Sequence, residues 1–175
     1  MSGFAHVVGE PDGPPTLPPF MLADGVAAQA AAWSSMMALY HRDAHGGAGQ
    51  LVDINLIEPL ARLIETSPLA FDQLGTIAGR VGNRLPASGP RNAYATSDGH
   101  HIAISSASPS IAVRVFRVVG RDDWAADPDY VDPLSRRAHD DEIDAVVAAW
   151  IRERTLDQAM EELLAAEVAA APVYD

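Results

Sequence analysis

Among the side chains able to do chemistry in this 175-residue sequence, the best placed is Asp24, in Leu22-Ala23-Asp24-Gly25. It stands just before a run whose apolar residues, Val26, Ala30, Trp33, Met37 and Tyr40, are spaced four, three, four and three. That spacing predicts a helix over 24–41 with one buried face. An aspartate at such a start can cap the helix, accepting backbone N–H bonds at the positive end of the dipole. A carboxylate in the same place also suits a nucleophile. Periodicity does not separate the two roles. Composition removes several rivals. All twelve basic residues are Arg, which excludes Schiff-base and P-loop lysines. There is no Cys, hence no thiol nucleophile, disulfide or Cys-type zinc site. His41 and His45 flank Asp43, but Gly46-Gly47 ends the helix there and no metal site is assigned. His100 and His101 are neighbours on a predicted strand, point to opposite faces, and read as exposed.

These residues need elements to hold them. Residues 1–20 have no periodicity, and Pro11, Pro14, Pro15, Pro18 and Pro19 predict an extended approach to Asp24. After the helix comes a Gly-rich turn, His45-Gly46-Gly47-Ala48-Gly49-Gln50, which lacks the spacing of a phosphate cradle. Leu51 to Leu56 alternates apolar with polar, predicting a short strand. Ile57 to Leu74 predicts a helix with Leu60, Leu63 and Ile64 inward and a break at Pro68. Gly75 to Pro90 reads as loop. Arg91 to Ser105 predicts a β-hairpin closed by a two-residue turn at Asp98-Gly99.

Three helices follow. Ser110 to Gly120 turns Ile111, Val115, Val118 and Val119 inward and ends on Gly120 as its C′ residue. Asp140 to Arg154 buries Ile143, Val146, Val147, Trp150 and Ile151, with Asp140, Asp141 and Glu142 in its first turn. Thr155 to Val168 opens with the capping box Thr155-Leu156-Asp157-Gln158 and buries Leu156, Met160, Leu163 and Leu164. Residues 91–174 should therefore form one compact unit with Phe116, Val147, Trp150 and Leu163 in its core.

The order of words along the chain resembles the class III CoA-transferase family, of the CaiB/BaiF type. Asp12-Gly13-Pro14-Pro15, then Ala23-Asp24, then the helix end Ala38 to Asp43, then Gly47-Ala48-Gly49-Gln50-Leu51-Val52-Asp53 follow that family's pattern. Its members carry a "DGPP" loop, an aspartate before a helix, and an "R-x-x-TG-x-GQ-x-V-D" turn. Here His45-Gly46-Gly47 stands where Thr-Gly is usual. Further matches are Arg80 to Pro86 with Ala87-Ser88-Gly89-Pro90, Asp98-Gly99, Trp124 to Tyr130 with Arg136-Arg137, and Ala171-Pro172-Val173-Tyr174. The resemblance runs from about Ser2 to Tyr174. A run of successive glycines found in the formyl-CoA branch is absent, which weighs against formyl and oxalyl substrates.

The resemblance implies an α/β fold, with partial large-domain helices and a strand joined to a small α/β domain. Residues 1–74 match the late part of the large, Rossmann-like domain with Asp24, and 75–175 the linker and small domain. The Rossmann half that makes most CoA contacts has no counterpart, nor has the C-terminal return. A fragment, inactive alone, is the expectation. For the complete enzyme the implied activity is CoA transfer between an acyl-CoA thioester and a carboxylic acid acceptor, with Asp24 forming a covalent aspartyl intermediate. CoA enters as substrate, with no permanently bound cofactor, and the family pattern implies an interlocked homodimer in the cytoplasm. One alternative is a 2-methylacyl-CoA racemase, where Asp24 would shuttle a proton with a histidine; His6 is not given that part. Another is a non-catalytic module in which Asp24 is only a cap.

Charge and hydropathy add bounds, and a net charge of -12 means that any CoA site would need local Arg clustering. The same charge argues against nucleic acid and against anionic membrane surfaces. Hydrophobic content of 48% is that of a globular chain, and no stretch reaches the eighteen apolar residues of a membrane span.

Overall fold

A computed structural model describes residues 2–85, 88–106 and 108–174. Pro86 and Ala87, the end of the Arg80–Pro86 motif and the start of the next, lie outside the described residues. The chain packs as two units, Met1–Gly82 and Asn83–Asp175.

The first unit is helical. A short α1 (Phe4–Val7) precedes the Pro-rich loop, which is pinned by the Thr16 N–H on the Val8 carbonyl. Arg80 returns to this loop, donating to the His6 and Glu10 carbonyls, and Gly82 N–H donates to the Gly9 carbonyl. The long α2 spans Leu22–His45 and stops at Gly46, whose φ of 64° is left-handed and costs glycine little. Asn55 then caps α3 (Ile57–Arg62), accepting the Ile57 and Glu58 N–H groups at 2.8 and 2.9 Å. A turn at 63–65 leads into α4 (Thr66–Leu74), which ends at Gly75. The break in the predicted 57–74 helix therefore falls before Pro68. Proline is tolerated in the first turn of α4, where its missing N–H would have had no partner.

Two further expectations fail in this unit. Residues 51–55 form no strand, because the unit's described residues supply no second strand to pair with. The predicted inward faces are exposed. Only Ala27 of α2 is buried, while Trp33, Met37 and Tyr40 are 64–72% exposed, and Leu63 lies outward.

The second unit is a three-stranded antiparallel sheet with helices on one face. Strands β1 (Arg91–Ala95), β2 (His101–Ser105) and β3 (Ala170–Pro172) lie in the order β1-β2-β3, with Tyr94 opposite Ile102 and Ile102 opposite Pro172. Alternation sends Tyr94, Ile102 and Ile104 into the core and leaves His101 and Ala103 outside. The Val173 N–H donates to the His101 carbonyl and the Ser105 N–H to the Ala169 carbonyl. Ala170 and Pro172 consequently direct their backbone groups away from β2. The hairpin loop is longer than the expected two residues. It runs from Thr96 to His100, because the Thr96 hydroxyl and Asp98 carboxylate build a side-chain turn within it.

Helix α5 (Pro109–Val118) starts on the Ser108 cap and puts Ala112, Val115 and Phe116 into the core. Three short helices follow, α6 (Asp122–Ala126), α7 (Pro128–Val131) and α8 (Pro133–Arg136). The last two each begin with an Asp cap and a proline, Asp127-Pro128 and Asp132-Pro133. A 3-10 turn, Arg137–His139, leads to α9 (Asp140–Arg152), which buries Ile143, Val147 and Ile151. Helix α10 (Leu156–Ala165) forms the predicted capping box, with Thr155 accepting from Gln158 N–H and Gln158 from Thr155 N–H. Phe116, Val147 and Leu163 are core residues as predicted. Trp150 is half-buried, with Arg154 stacked 3.9 Å from its ring, and Leu164 is exposed. Leu156 and Met160 only flank the core, where Ala159 lies against it instead.

Candidate active site

Asp24 is not an N-cap. The helix begins two residues earlier than its periodicity suggests, so Met21 takes the cap position with no side-chain bond, and Asp24 is the third residue of α2. Gly25 N–H donates to the Met21 carbonyl at 3.0 Å and closes the first turn. Asp24 remains at the positive end of a 24-residue helix, as the sole acidic residue of that turn. Its side chain is exposed and makes no hydrogen bond or ion pair among the described residues. A carboxylate with no structural partner, in the first turn of a long helix, is free to meet an incoming electrophile.

The Gly-rich turn forms at the opposite end of α2. Gly47 N–H joins Gly46 N–H on the His41 carbonyl, and a Cβ on Gly47 would collide with the His41 imidazole. His41 is exposed, so its imidazole can swing aside for a side chain there, and it is Gly46, at left-handed φ, whose backbone favours glycine. Beside this turn lies a groove of about 340 Å³ between α2 and residues 49–52, lined by Leu39, Arg42, Gln50 and Val52 among others. Arg42 grips Asp43 at 2.6 Å at its rim. Fifteen residues of helix put Leu39 roughly 22 Å from Asp24 along the axis, so groove and carboxylate are separate features. His41 and His45 stack at 6.3 Å, and no group of three metal-ligating side chains occurs among the described residues.

In the second unit, the charged cluster is one that motif reading misses. Asp144 lies on the buried face of α9 between Ile143 and Val147. Its carboxylate accepts from Arg84 Nε at 2.6 Å, Asn92 Nδ2 at 3.1 Å and the Tyr94 hydroxyl at 2.5 Å. Arg84 also holds Asp141 at 2.6 Å, and that bond is the chief cause raising its pKa further. Burial, then the Asp144 charge, push the Tyr94 phenol well above its ordinary value and keep it protonated. The signal available in sequence was a carboxylate on an apolar helix face, which has to find donors. Asp98 of the hairpin loop is likewise structural. The Thr96 hydroxyl, and secondarily the Leu156 N–H, lower its pKa and fasten the loop to the start of α10. His100 and His101 are exposed, as expected of strand-end histidines.

A mixed α/β unit of this topology, joined in one chain to a helical unit carrying an exposed aspartate, defines a class of protein. The chain belongs to CoA-transferase family III, which it matches over residues 1–175. Curated relatives narrow the picture. It is 35% identical over 158 residues to succinyl-CoA–D-citramalate CoA-transferase of Chloroflexus aurantiacus, covering 90% of this chain and 39% of that protein. It is 28% identical to the beta subunit of succinyl-CoA–L-malate CoA-transferase of the same organism (100% and 44% covered). A third relative is succinyl-CoA:mesaconate CoA-transferase of Haloarcula hispanica, 29% identical over 100% of this chain and 43% of the relative. Among solved structures, a CaiB/BaiF family protein from Brucella suis superposes with a TM-score of 0.72 at 23% identity, over 100% of this chain and 46% of that one. A Mycobacterium tuberculosis protein superposes at 0.77 and 22%, over 99% and 45%. These likenesses establish the fold. The chain spans about two-fifths of the length of the curated relatives named here.

Proposed function

We propose that this chain carries the nucleophile of a CoA-transferase that moves CoA from an acyl-CoA thioester to a carboxylic acid, and that Asp24 is that nucleophile. The observation carrying the reading is an exposed carboxylate, unbonded among the described residues, in the first turn of α2 in a chain of this family. Asp24 Oδ attacks the thioester carbonyl carbon and the C–S bond breaks, giving a mixed anhydride and CoA thiolate. The thiolate then attacks the aspartyl carbonyl, releasing the donor acid and leaving an aspartyl-CoA thioester. The acceptor carboxylate attacks that thioester, the thiolate leaves again, and its return to the acceptor's carbonyl regenerates free Asp24. Backbone N–H groups of the first turn of α2 are suited to stabilise the developing oxyanions.

Three relatives whose names pair succinyl-CoA with citramalate, malate or mesaconate favour a succinyl donor and a dicarboxylic acceptor. Both substrates are anionic while the chain carries -12, so the complete site needs local arginines to admit them. In this reading residues 1–74 belong to the large domain and 75–175 to the linker and small domain, in an interlocked homodimer. The enzyme works in the cytoplasm, where its acyl-CoA substrates are. No helix of the described residues is long and apolar enough to cross a membrane.

Intact-mass measurement on the enzyme at its relatives' full length tests the mechanism. Incubation with succinyl-CoA should add one CoA to the protein, and Asp24→Asn should abolish both adduct and turnover. Because Asp24 spans no structural bond, that variant should keep its stability to within about 1 kcal/mol. Turnover retained in Asp24→Asn overturns the assignment.

A further inference from the structure

The free edge of β1 runs beside α9. The Thr96 N–H donates to the His100 carbonyl and the Ser106 N–H to the Pro90 carbonyl. In the register that sets Arg91 opposite Ser105, the bonds to β2 therefore belong to Asn92 and Tyr94, and Arg91, Ala93 and Ala95 direct their backbone groups outward. The Ala93 N–H is met by the Asn92 side-chain oxygen at 2.8 Å. The Ala95 N–H and the Ala93 and Ala95 carbonyls have no partner among the described residues. Along this edge lies a groove of about 460 Å³, and α9 walls it with Ala145 and Ala148 between Asp141 and Arg152. The helix follows the strand, because Asp144 accepts from Asn92 and Tyr94, and the Ser97 N–H donates to the Arg154 carbonyl at 2.8 Å. One end of the groove, at the start of β1, is acidic, with Asp141 and Asp144 against the single Arg84. The other, beside Ala95, is basic, and Arg152 there has no ion pair among the described residues.

We infer that this groove binds an extended peptide of a partner protein, added beside β1 as a fourth, antiparallel strand, with an acidic residue at its start and a basic residue at its end. The helix between Asp141 and Arg152 measures roughly 16 Å, the length of about five residues of strand. Antiparallel pairing is the more stable kind, and it brings the first residue of the peptide to Arg152 and the last to Asp141. Main-chain bonds at Ala95 and at the Ala93 carbonyl hold the peptide, as in other cases of strand addition. The opposite charges at the two ends fix its direction. Side chains turned toward α9 find room over Ala145 and Ala148, which present only methyl groups.

The test is fluorescence anisotropy on the 175-residue chain with a dye-labelled, end-capped peptide, Glu-Val-Thr-Val-Lys. It should bind about tenfold more tightly than the reversed order, Lys-Val-Thr-Val-Glu, and Arg152→Glu, a change at an exposed position, should remove that preference. A strand turns alternate N–H groups toward its neighbour. N-methylation of the two valines and N-methylation of the threonine should therefore differ, one abolishing binding and the other sparing it. Hydrogen exchange at the Ala95 amide should slow when the peptide is added. Absence of binding, equal affinity for the two orders, or equal tolerance of the two methylations overturns the proposal. Protection of the Ala95 amide that grows with chain concentration, with no peptide present, assigns the edge to a second copy and overturns it as well.

Discussion

Asp144 illustrates how one side chain can hold a small core together. Its carboxylate gathers donors from β1 and from the segment before it, and Ile143 and Val147 flank it on the same helix face. Removing it leaves the buried Tyr94 hydroxyl and the half-buried Asn92 amide without that acceptor, and Arg84 with only Asp141. Asp144→Ala should cost about 2–4 kcal/mol, less than a fully buried pair because Arg84 is partly solvated. Tyr94→Phe removes one donor and leaves two, so about 1–2 kcal/mol is expected. Urea denaturation of the two variants checks the ranking, and equal losses would mean that Asp144 does not depend on Arg84 and Asn92. Asp24 is the opposite kind of residue, with nothing to lose structurally and therefore available for chemistry.

At the scale of elements, what the sequence discloses depends on whether a signal is local. Thr155 with Gln158, Gly120 after α5, and the hairpin around Asp98-Gly99 are local devices, and each forms where the residues place it. Residues 51–56 alternate correctly and still form no strand, because pairing is supplied by a neighbour and not by the run itself. Asp24 reads as a cap from its place before the apolar stripe, yet Leu22 and Ala23 also enter the helix and displace it. The groove between β1 and α9 is illegible in sequence because its walls come from segments about fifty residues apart. The turn from α10 to β3 holds one cost that a substitution can relieve. Glu167 sits at φ 55°, the left-handed region, where it accepts from Arg114 at 3.0 Å through its carbonyl and 3.1 Å through its carboxylate. Glu167→Gly relieves about 1 kcal/mol of backbone strain and gives up an exposed ion pair worth less. Its thermal midpoint should rise slightly, and a clear fall would show that the Arg114 contact dominates.

For the whole molecule, the two units differ in how well they satisfy themselves. The second has a continuous core from sheet to helices. The first exposes the large apolar side chains Trp33, Met36, Met37, Tyr40, Phe71 and Leu74, the kind of surface that drives association. The 175-residue chain by itself should therefore self-associate in light scattering, with fast amide exchange in α2, slow exchange in α9, and no CoA transfer. A monodisperse monomer with α2 strongly protected would show that this surface needs no cover. Such association has one route closed to it. The outward side of β3 presents Pro172 where a further strand would require a donor, and a proline nitrogen carries no hydrogen. A stray chain arriving at that border finds a gap in the ladder, so the molecule discourages fibril growth from this margin without needing a charge to do it.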